Sequence, residues 1–338
     1  MSEELLAPDA PELADAAHDW ASAYVHIPFC ARRCPYCDFA IVDESVDAVS
    51  HDRYVQAVVA EVGMEDRIGP LDAVNFGGGT PSRLEPRLLG TILDALHGHL
   101  GIAAGAEVSL EVNPEDWTPE LGAELVGIGC TRISIGAQSL DGAVLGVLGR
   151  LHVPADVGRV VDEARCVGFT SISVDVMLGH PFEDDSAWKV TLDGVADLGI
   201  DHLSTYALTV EPGTQLSREV LDGAPAPDDD TQADRYEELS ERASRMGLVR
   251  YEVSNMAAPG HTCRYNLATW AHAEYVGFGL GAHDHVDGVR SRNHRRLDRY
   301  LEAIDAGERP RLGSEALGPD QQERDRLMLG LRLAAGTP

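Results

Sequence analysis

Cys30, Cys34 and Cys37 are the residues of this chain whose type and spacing most directly suggest chemistry. They lie in Tyr24-Val-His-Ile-Pro-Phe-Cys30-Ala-Arg-Arg-Cys34-Pro-Tyr-Cys37-Asp-Phe, a C-x3-C-x2-C spacing just after an apolar run. A short loop of this kind can curl around a cube of iron and sulfur and present three thiolates to three of its four irons. The fourth iron is then left open. An open iron can chelate the amino and carboxylate groups of the methionine part of S-adenosylmethionine, and one electron from the cluster can cleave the sulfonium to release a 5′-deoxyadenosyl radical. Tyr36 stands where it could shield the cluster and the adenine, or simply pack the loop. Zinc is the competing reading, with His26 completing a Cys3His set, although zinc knuckles usually use C-x2-C pairs. Catalysis by a thiol is a third. The remaining cysteines, Cys130, Cys166 and Cys263, are scattered in apolar stretches and read as small buried side chains.

A cysteine loop needs a frame to hold it. Short, apolar, β-branched segments at Ala23–Ile27, Ala73–Phe76, Val108–Val112, Thr131–Ile135, Ser171–Asp175 and His202–Leu208 read as buried parallel strands. Helical patterns fall between them at His51–Asp66, Glu85–Leu100, Glu120–Gly127, Ala155–Cys166 and Ser186–Leu198. Pro119 and Pro154 sit near helix starts, where a missing N–H costs little. Six βα units in a row predict an α/β fold with a parallel sheet and helices outside. Six strands are too few for a closed eight-stranded barrel, so the expectation is a partial (β/α)6 barrel with a smaller C-terminal α/β extension. Chemistry in such sheets gathers at the C-terminal ends of the strands.

Residues 1–22 read as an acidic leader, mobile or forming a short helix, 23–215 as the partial barrel and 216–312 as its extension. Gly223–Asp230 is a loop by composition, followed by a helix at Thr231–Met246 and a strand at Val249–Val253. A helical pattern at Gln321–Leu333 reads as the start, within 313–338, of a truncated C-terminal helical domain. The net charge of -29 argues against a nucleic-acid partner, which needs a basic footprint. Lys189 is the only lysine, and the acidity fits a solvated surface. No apolar run is long enough for stable membrane insertion, and the acidic Met-Ser-Glu-Glu start lacks the basic region of a secretory signal. The expected location is cytoplasmic, where clustered cysteines suggest metal or redox chemistry rather than disulfides.

Polar residues punctuate the predicted strand ends. After the second comes Asn75-Phe-Gly77-Gly78-Gly79-Thr80-Pro81, a glycine run that lets backbone approach a ligand closely, or makes a plain turn. Glu111 ends the third strand, Gln138 the fourth and Asp175 the fifth, while Arg150 follows the fourth and could pair with a carboxylate. Each could also be a surface or capping group. Together they place one polar group per βα unit, which a pure core would not need.

The triad, with its flanking His-Ile-Pro-Phe and Pro-Tyr-Cys-Asp-Phe, resembles the radical-SAM superfamily. Within it the chain resembles the oxygen-independent coproporphyrinogen III oxidase-like branch from about Tyr24 onward. That resemblance implies a [4Fe–4S] cluster on Cys30, Cys34 and Cys37. It assigns Gly78, Gly79 and Thr80 to the methionine ammonium group, and Tyr24, Tyr36, Glu111, Gln138, Arg150 and Asp175 to further S-adenosylmethionine contacts. Members that oxidise coproporphyrinogen carry a fourth cysteine two residues after the third, where this chain has Phe39, and a longer N-terminal extension. Both departures favour the HemW-type haem-chaperone branch. That branch implies haem, haem-accepting proteins and an electron donor such as flavodoxin or ferredoxin. Cys263-Arg-Tyr265-Asn266-Leu-Ala-Thr269-Trp270 resembles its H-N-x-x-Y-W motif, with Tyr265 in place of His and Thr269 in place of Tyr. Tyr265 could ligate ferric haem, or the segment could pack a sheet edge. Gly279-Leu-Gly-Ala-His283-Asp-His285 resembles the family's Gly-x-Gly-Ala-His stretch, where the histidines are either structural or alternative haem ligands. The radical-enzyme reading, oxidative decarboxylation of coproporphyrinogen III, stands beside the chaperone reading.

Overall fold

The computed structural model describes residues 10–46 and 49–336. Its strands are β1 (Ser22–Ile27), β2 (Phe29–Cys30), β3 (Val42–Asp43), β4 (Leu71–Gly78), β5 (Ile102–Val112), β6 (Arg132–Gln138), β7 (Ser171–Leu178), β8 (His202–Ala207), β9 (Val249–Arg250), β10 (Asn255–Ala257), β11 (Tyr275–Phe278), β12 (His283–Val286), β13 (Val289–Asn293) and β14 (Arg311–Ala316). Its helices are α1 (Ala10–Ala17), α2 (His51–Val62), α3 (Pro86–His99), α4 (Pro119–Gly127), α5 (Gly142–Val147), α6 (Pro154–Val167), α7 (Asp185–Asp197), α8 (Gln215–Leu221), α9 (Asp229–Arg245), α10 (Arg264–Trp270), α11 (Leu297–Asp305) and α12 (Pro319–Gly330).

The six expected strands, β1 and β4 through β8, pair in parallel in chain order. The sheet is open: it runs β14-β13-β12-β11-β1-β4-β5-β6-β7-β8-β10-β9. This is the expected partial barrel. The extension does not stack as a separate layer but prolongs the sheet, with β11 parallel to β1 and β12, β13 and β14 added antiparallel. Sequence reading found no elements in Asn255–Arg292, because β10 and β11 are too short to show a period and β12 and β13 carry His, Asp and Arg rather than an alternating apolar pattern. One continuous apolar core runs between the sheet and the outer helices, from Val25 and Ile27 to Leu203 and Leu239.

Local chemistry sets the element ends. Ser50, Thr118, Asp141, Asp184, Thr214 and Asp228 each accept a backbone N–H at a helix start. Pro119 and Pro154 open α4 and α6, as expected. Helix α2 stops at Val62 rather than Asp66, because the Glu65 carboxylate accepts the N–H groups of Asp66 and Arg67 and turns the chain. β9 ends at Arg250 rather than Val253, since Glu252–Asn255 form a turn. Helix α12 ends at Gly330, and Leu333 then folds into a second core with Tyr251, Ala257, Cys263 and Leu267. Ala14 and Ala17 of α1 join the same core, so the described part of the acidic leader is a packed helix.

That second core fills the lower end of the partial barrel. Helix α10 lies on it against β1 and β4, and its start is tied down where Glu107 accepts the Arg264 N–H at 2.9 Å and the Arg132 Nε–H at 2.9 Å. The upper end, at the C-terminal ends of the strands, stays open. Buried Glu61 on α2 secures the extension by accepting hydrogen bonds from the Gly279 N–H (2.8 Å), Asn293 (2.6 Å) and the Tyr300 hydroxyl (2.7 Å).

Burial pushes the Glu61 carboxyl from 4.5 up to about 7, against the pull of its three donors. A folded value above the unfolded one means that the contribution is complete below about pH 4.5 and is lost as pH rises through about 7. The difference in unfolding free energy between wild type and Glu61→Gln should therefore shift by about 1–3 kcal/mol across that window. Denaturation at a series of pH values measures it. A pH-independent difference would show that Glu61 does not titrate there.

Candidate functional site

The cysteine loop closes on itself before it meets the barrel. β2 and β3 pair at its two ends, with Val42 N–H to Pro28 O at 2.8 Å and Glu44 N–H to Cys30 O at 2.9 Å. A turn brings Cys37 N–H to Cys34 O at 3.2 Å. The Arg33 guanidinium spans the loop and donates to the carbonyls of Cys37 and Phe39, both at 3.3 Å. The loop covers the open upper end of the sheet, where a cavity of about 580 Å³ is lined by all three cysteines and by the ends of β4 through β8. That volume suits a small-molecule site.

A chain of hydrogen bonds joins the loop to the strands. Thr80 lies 3.7 Å from Cys30 Sγ and accepts from Asn113 Nδ2 at 2.9 Å. Asn113 Oδ1 accepts from Arg150 at 2.5 Å, and Arg150 also donates to the Gly136 carbonyl at 2.8 Å and points at Cys34 Sγ from 3.9 Å. Two cysteines are thus linked through the ends of three successive βα units. Gly136 leaves these side chains room: a Cβ would lie 3.2–3.3 Å from Asn113, Gln138 and Arg150 and would make all three shift by a few tenths of an ångström. Arg150 forms no ion pair with a carboxylate among the described residues, and its Nε is buried without a hydrogen-bond partner. A part-buried guanidinium with a buried, unpartnered Nε, with Glu115 acting on it only from a distance, has room for an anion.

Two carboxyls face each other deeper in the cavity. Burial, reinforced by the charge of Asp175, pushes Glu111 up to about 7. Burial raises Asp175 to about 6, opposed by hydrogen bonds from Ser134 (2.7 Å) and Ser204. Glu111 also accepts the Gly78 N–H at 3.2 Å. Gln138 ends β6 at a register shift, in a left-handed conformation (φ 66°) that non-glycine residues rarely adopt. The glycine run serves packing as well as any ligand: a Cβ on Gly77 would come within 2.6 Å of the Glu111 carboxyl, one on Gly78 would strike the His26 ring, and one on Gly79 would come within 2.6 Å of the Pro28 backbone. Only bare backbone lets the end of β4 pass beneath the cysteine loop.

The cavity brings together Cys30, Cys34, Cys37, Tyr36, Gly78, Gly79, Thr80, Glu111, Gln138, Arg150 and Asp175. Tyr24 is not among its lining. It sits one layer below, stacked on Tyr265 with ring centroids 6.0 Å apart, and its hydroxyl is 3.1 Å from His26 Nδ1. His26 does not join the cysteines as a zinc set would need: it is not among the residues that line the cavity, its Nε2 donates to the Ala40 carbonyl at 2.8 Å, and its Nδ1 lies 3.1 Å from the Tyr24 hydroxyl. No group of three His, Cys, Asp or Glu among the described residues converges as a single-ion site requires. A four-iron cube needs its thiolates spread over several irons, which a loop carrying three separate cysteines allows. Burial pushes the Cys30 thiol up to about 12 and raises Cys37, so cationic iron is the counter-charge that would hold them as thiolates.

Tyr265 is packed between Tyr24 and, edge-on at 6.4 Å, Tyr275, so it belongs to the barrel floor rather than to an exposed iron-ligating position. His285 is buried and stacked on His272 at 4.5 Å, whereas His283 is exposed. Sequence reading missed Asn113, Ser134, Gly136 and Tyr206, all of which line the cavity. Asn113 and Gly136 lie two residues from Glu111 and Gln138, so strand alternation past each predicted strand end could have found them. Tyr206 is the polar group of the sixth unit, one step further along the pattern already noted.

The family model of the radical SAM superfamily matches residues 24–194. A curated relative from Mycobacterium tuberculosis (strain ATCC 25618 / H37Rv), "Heme chaperone HemW", is 40% identical over 337 residues, covering 98% of this chain and 86% of that protein. "Heme chaperone HemW" of Escherichia coli (strain K12) is 35% identical over 309 residues, covering 86% and 80%. Among solved structures, the Escherichia coli coproporphyrinogen III oxidase HemN, titled a radical SAM enzyme, superposes with a TM-score of 0.80 at 22% identity, covering 98% of this chain and 80% of that one. The last likeness carries the fold, and the first three carry the family: this chain belongs to the radical SAM superfamily and, within its coproporphyrinogen III oxidase-like branch, to the HemW group.

Proposed function

We propose that this protein holds a [4Fe–4S] cluster on Cys30, Cys34 and Cys37, binds S-adenosylmethionine beside it, and carries haem to acceptor proteins. The observation that carries the reading is the pairing, in one cavity, of three cysteines with an Arg150 guanidinium whose Nε is buried and unpartnered. The names of the curated relatives support the haem part. When bound, the cluster and S-adenosylmethionine supply one reducing electron and a sulfonium that it can cleave.

The chain's own residues provide position and polarity. Arg150 meets the ligand carboxylate and balances the Cys34 thiolate. Gly78, Gly79 and Thr80 offer backbone and hydroxyl to the ammonium group. Glu111 and Asp175, both held near neutral pH by burial, donate and accept hydrogen bonds with ribose hydroxyls, and Gln138 completes the polar wall. Tyr36 covers the adenine and keeps water from the cluster. Haem is not placed on Tyr265, whose ring is locked in the barrel floor. The cluster and the free thiols suit a reducing cytoplasm. No helix among the described residues is long and apolar enough to cross a membrane.

Anaerobic reconstitution should yield four irons and four sulfides per chain. Cys30→Ala should lose them, while one zinc and no sulfide in the wild type would overturn the cluster assignment. Arg150→Met should retain iron but weaken S-adenosylmethionine binding about 10–100-fold, the worth of a charged hydrogen-bonded contact, with Arg150→Lys in between. Equal affinities by calorimetry would remove Arg150 from the ligand. Haem titration should give a Soret shift that is unchanged in Tyr265→Phe. Porphyrin formation from coproporphyrinogen III above background would favour the enzyme over the chaperone.

A further inference from the structure

A buried chain of hydrogen bonds leaves the cavity at Asp175 and runs down into the barrel floor. Asp175 accepts from Ser204 of β8. Ser204 Oγ lies 3.4 Å from Ser173 Oγ on β7, Ser173 Oγ lies 2.8 Å from His202 Nδ1, and His202 Nε2 lies 2.9 Å from the Tyr251 hydroxyl. The Tyr251 hydroxyl in turn accepts the N–H of Cys263, the residue that caps the start of α10, at 3.4 Å. None of Ser173, Ser204, His202 and Tyr251 is more than 3% exposed. Only Asp175 belongs to the site already described.

One arrangement of protons satisfies every group in this chain. A backbone N–H can only donate, so the Tyr251 oxygen accepts from Cys263 and its own proton goes to His202 Nε2. His202 does not ionise: burial, followed by the charges of Arg132 on β6 and of His261, pushes its pKa well below the usual histidine value. It therefore has a single N–H, which must sit on Nδ1 and donate to Ser173. Ser173 then donates to Ser204, and Ser204 donates to Asp175. Ser204 keeps a second lone pair for the Tyr206 hydroxyl. The other tautomer of His202 leaves the buried Tyr251 O–H without an acceptor among the described residues, a costly orphan.

We propose that His202 is a positioning residue for the ligand site: the Cys263 amide fixes its tautomer, and through Ser173 and Ser204 it holds Asp175 as a hydrogen-bond acceptor. Its effect on ligand binding rests on the S-adenosylmethionine contact assigned to Asp175 above. The two facing carboxyls thereby take different roles. Asp175 has two hydroxyl donors, Ser134 and Ser204, and the more distant charge of Arg150 also favours its anion. Glu111 has the Gly78 N–H alone, and the Asp175 charge works against its ionisation. Tyr206 faces both, and burial with the two carboxylate charges keeps its hydroxyl protonated. Asp175 is then the first of the pair to ionise and Glu111 retains the proton they compete for. Asp175 accepts from a ribose hydroxyl, and Glu111 has a proton to donate.

The test uses the anaerobically reconstituted protein with nitrogen-15 in its histidines. The NMR signals of His202, assigned by their loss in His202→Gln, should show the proton on Nδ1. They should also follow a titration near pH 6 that disappears in Asp175→Asn. Ser173→Ala should keep the tautomer and lose that response, whereas Tyr251→Phe should lose the tautomer. Affinity for S-adenosylmethionine, measured across pH, should fall as Asp175 gains its proton. In Ser173→Ala and Tyr251→Phe that fall should begin about half a unit to one unit higher, a loss of up to about tenfold below the midpoint with no change at about pH 8. Tyr236→Phe, which removes a hydroxyl bonded to the Val253 carbonyl instead, should match the wild type. A proton on Nε2 of His202, or pH profiles of the two variants that superpose on the wild type, would overturn the positioning role. So would a loss of affinity equal at every pH, the mark of a merely structural network. An Asp175→Asn protein that binds S-adenosylmethionine as the wild type does, while His202 still follows Asp175, would instead overturn the ligand contact and leave the fixed tautomer standing.

Discussion

The structure turns on one part-buried positive charge at the cavity wall. Arg150 is held by Asn113 and the Gly136 carbonyl, directs one N–H at Cys34, and leaves Nε without a partner. Burying a guanidinium is costly unless an anion compensates it. Around Arg150 the compensating groups are the Cys34 sulfur and, from beyond ion-pair distance, the Glu115 carboxylate, together with whatever enters the cavity. The hydrogen bonds that continue through Asn113 and Thr80 to Cys30 make the position of the cysteine loop depend on the same charge. The loop, the ends of β4, β5 and β6, and the ligand space are therefore one polar unit rather than neighbouring parts.

The rest of the fold leaves that unit open on one side only. Below it, Tyr24, Tyr265 and the second core fill the barrel, with α10 as a plug pinned by Glu107. Beside it, β11 through β14 extend the sheet past β1 and bring an arginine-rich turn against the cysteine loop. The interior thus presents carboxyls raised toward neutrality by burial, while the rim carries arginines, two of them paired with Asp38 and Asp298. The two regions differ because Glu111 and Asp175 lie inside the strand ends, out of water, whereas the arginines stand on loops and an edge ladder.

Much of this was legible in the chain. The six parallel strands and the helices between them carry their own periodicity, and their order follows from the right-handed βα rule. Cys30, Cys34, Cys37, Gly78, Glu111, Gln138, Arg150 and Asp175 stood out because each follows an apolar strand, where side chains of a parallel sheet reach its functional end. Tyr24 and Tyr265 were harder to place. Sequence shows an aromatic residue near a motif but not which layer its ring enters, and here the two rings stack on each other beneath the cavity. The extension was expected, but its strands β12 and β13 were not placed, because short antiparallel strands rich in arginine and histidine have no apolar alternation to reveal them.

What the sequence by itself determined is the chemistry: three thiols in a C-x3-C-x2-C loop, one polar group after each of several strands, and an α/β order with too few strands for a closed eight-stranded barrel. Those features depend on residue type and local spacing. What only the tertiary structure decided is partnership. It joined Cys30 to Cys34 through Thr80, Asn113 and Arg150, committed both nitrogens of His26 to Tyr24 and Ala40, and brought Arg295 beside Asp38 across more than two hundred residues of chain. Each of these contacts joins side chains from distant elements. Its existence depends on how the sheet twists and where the loop lands, which no local pattern encodes.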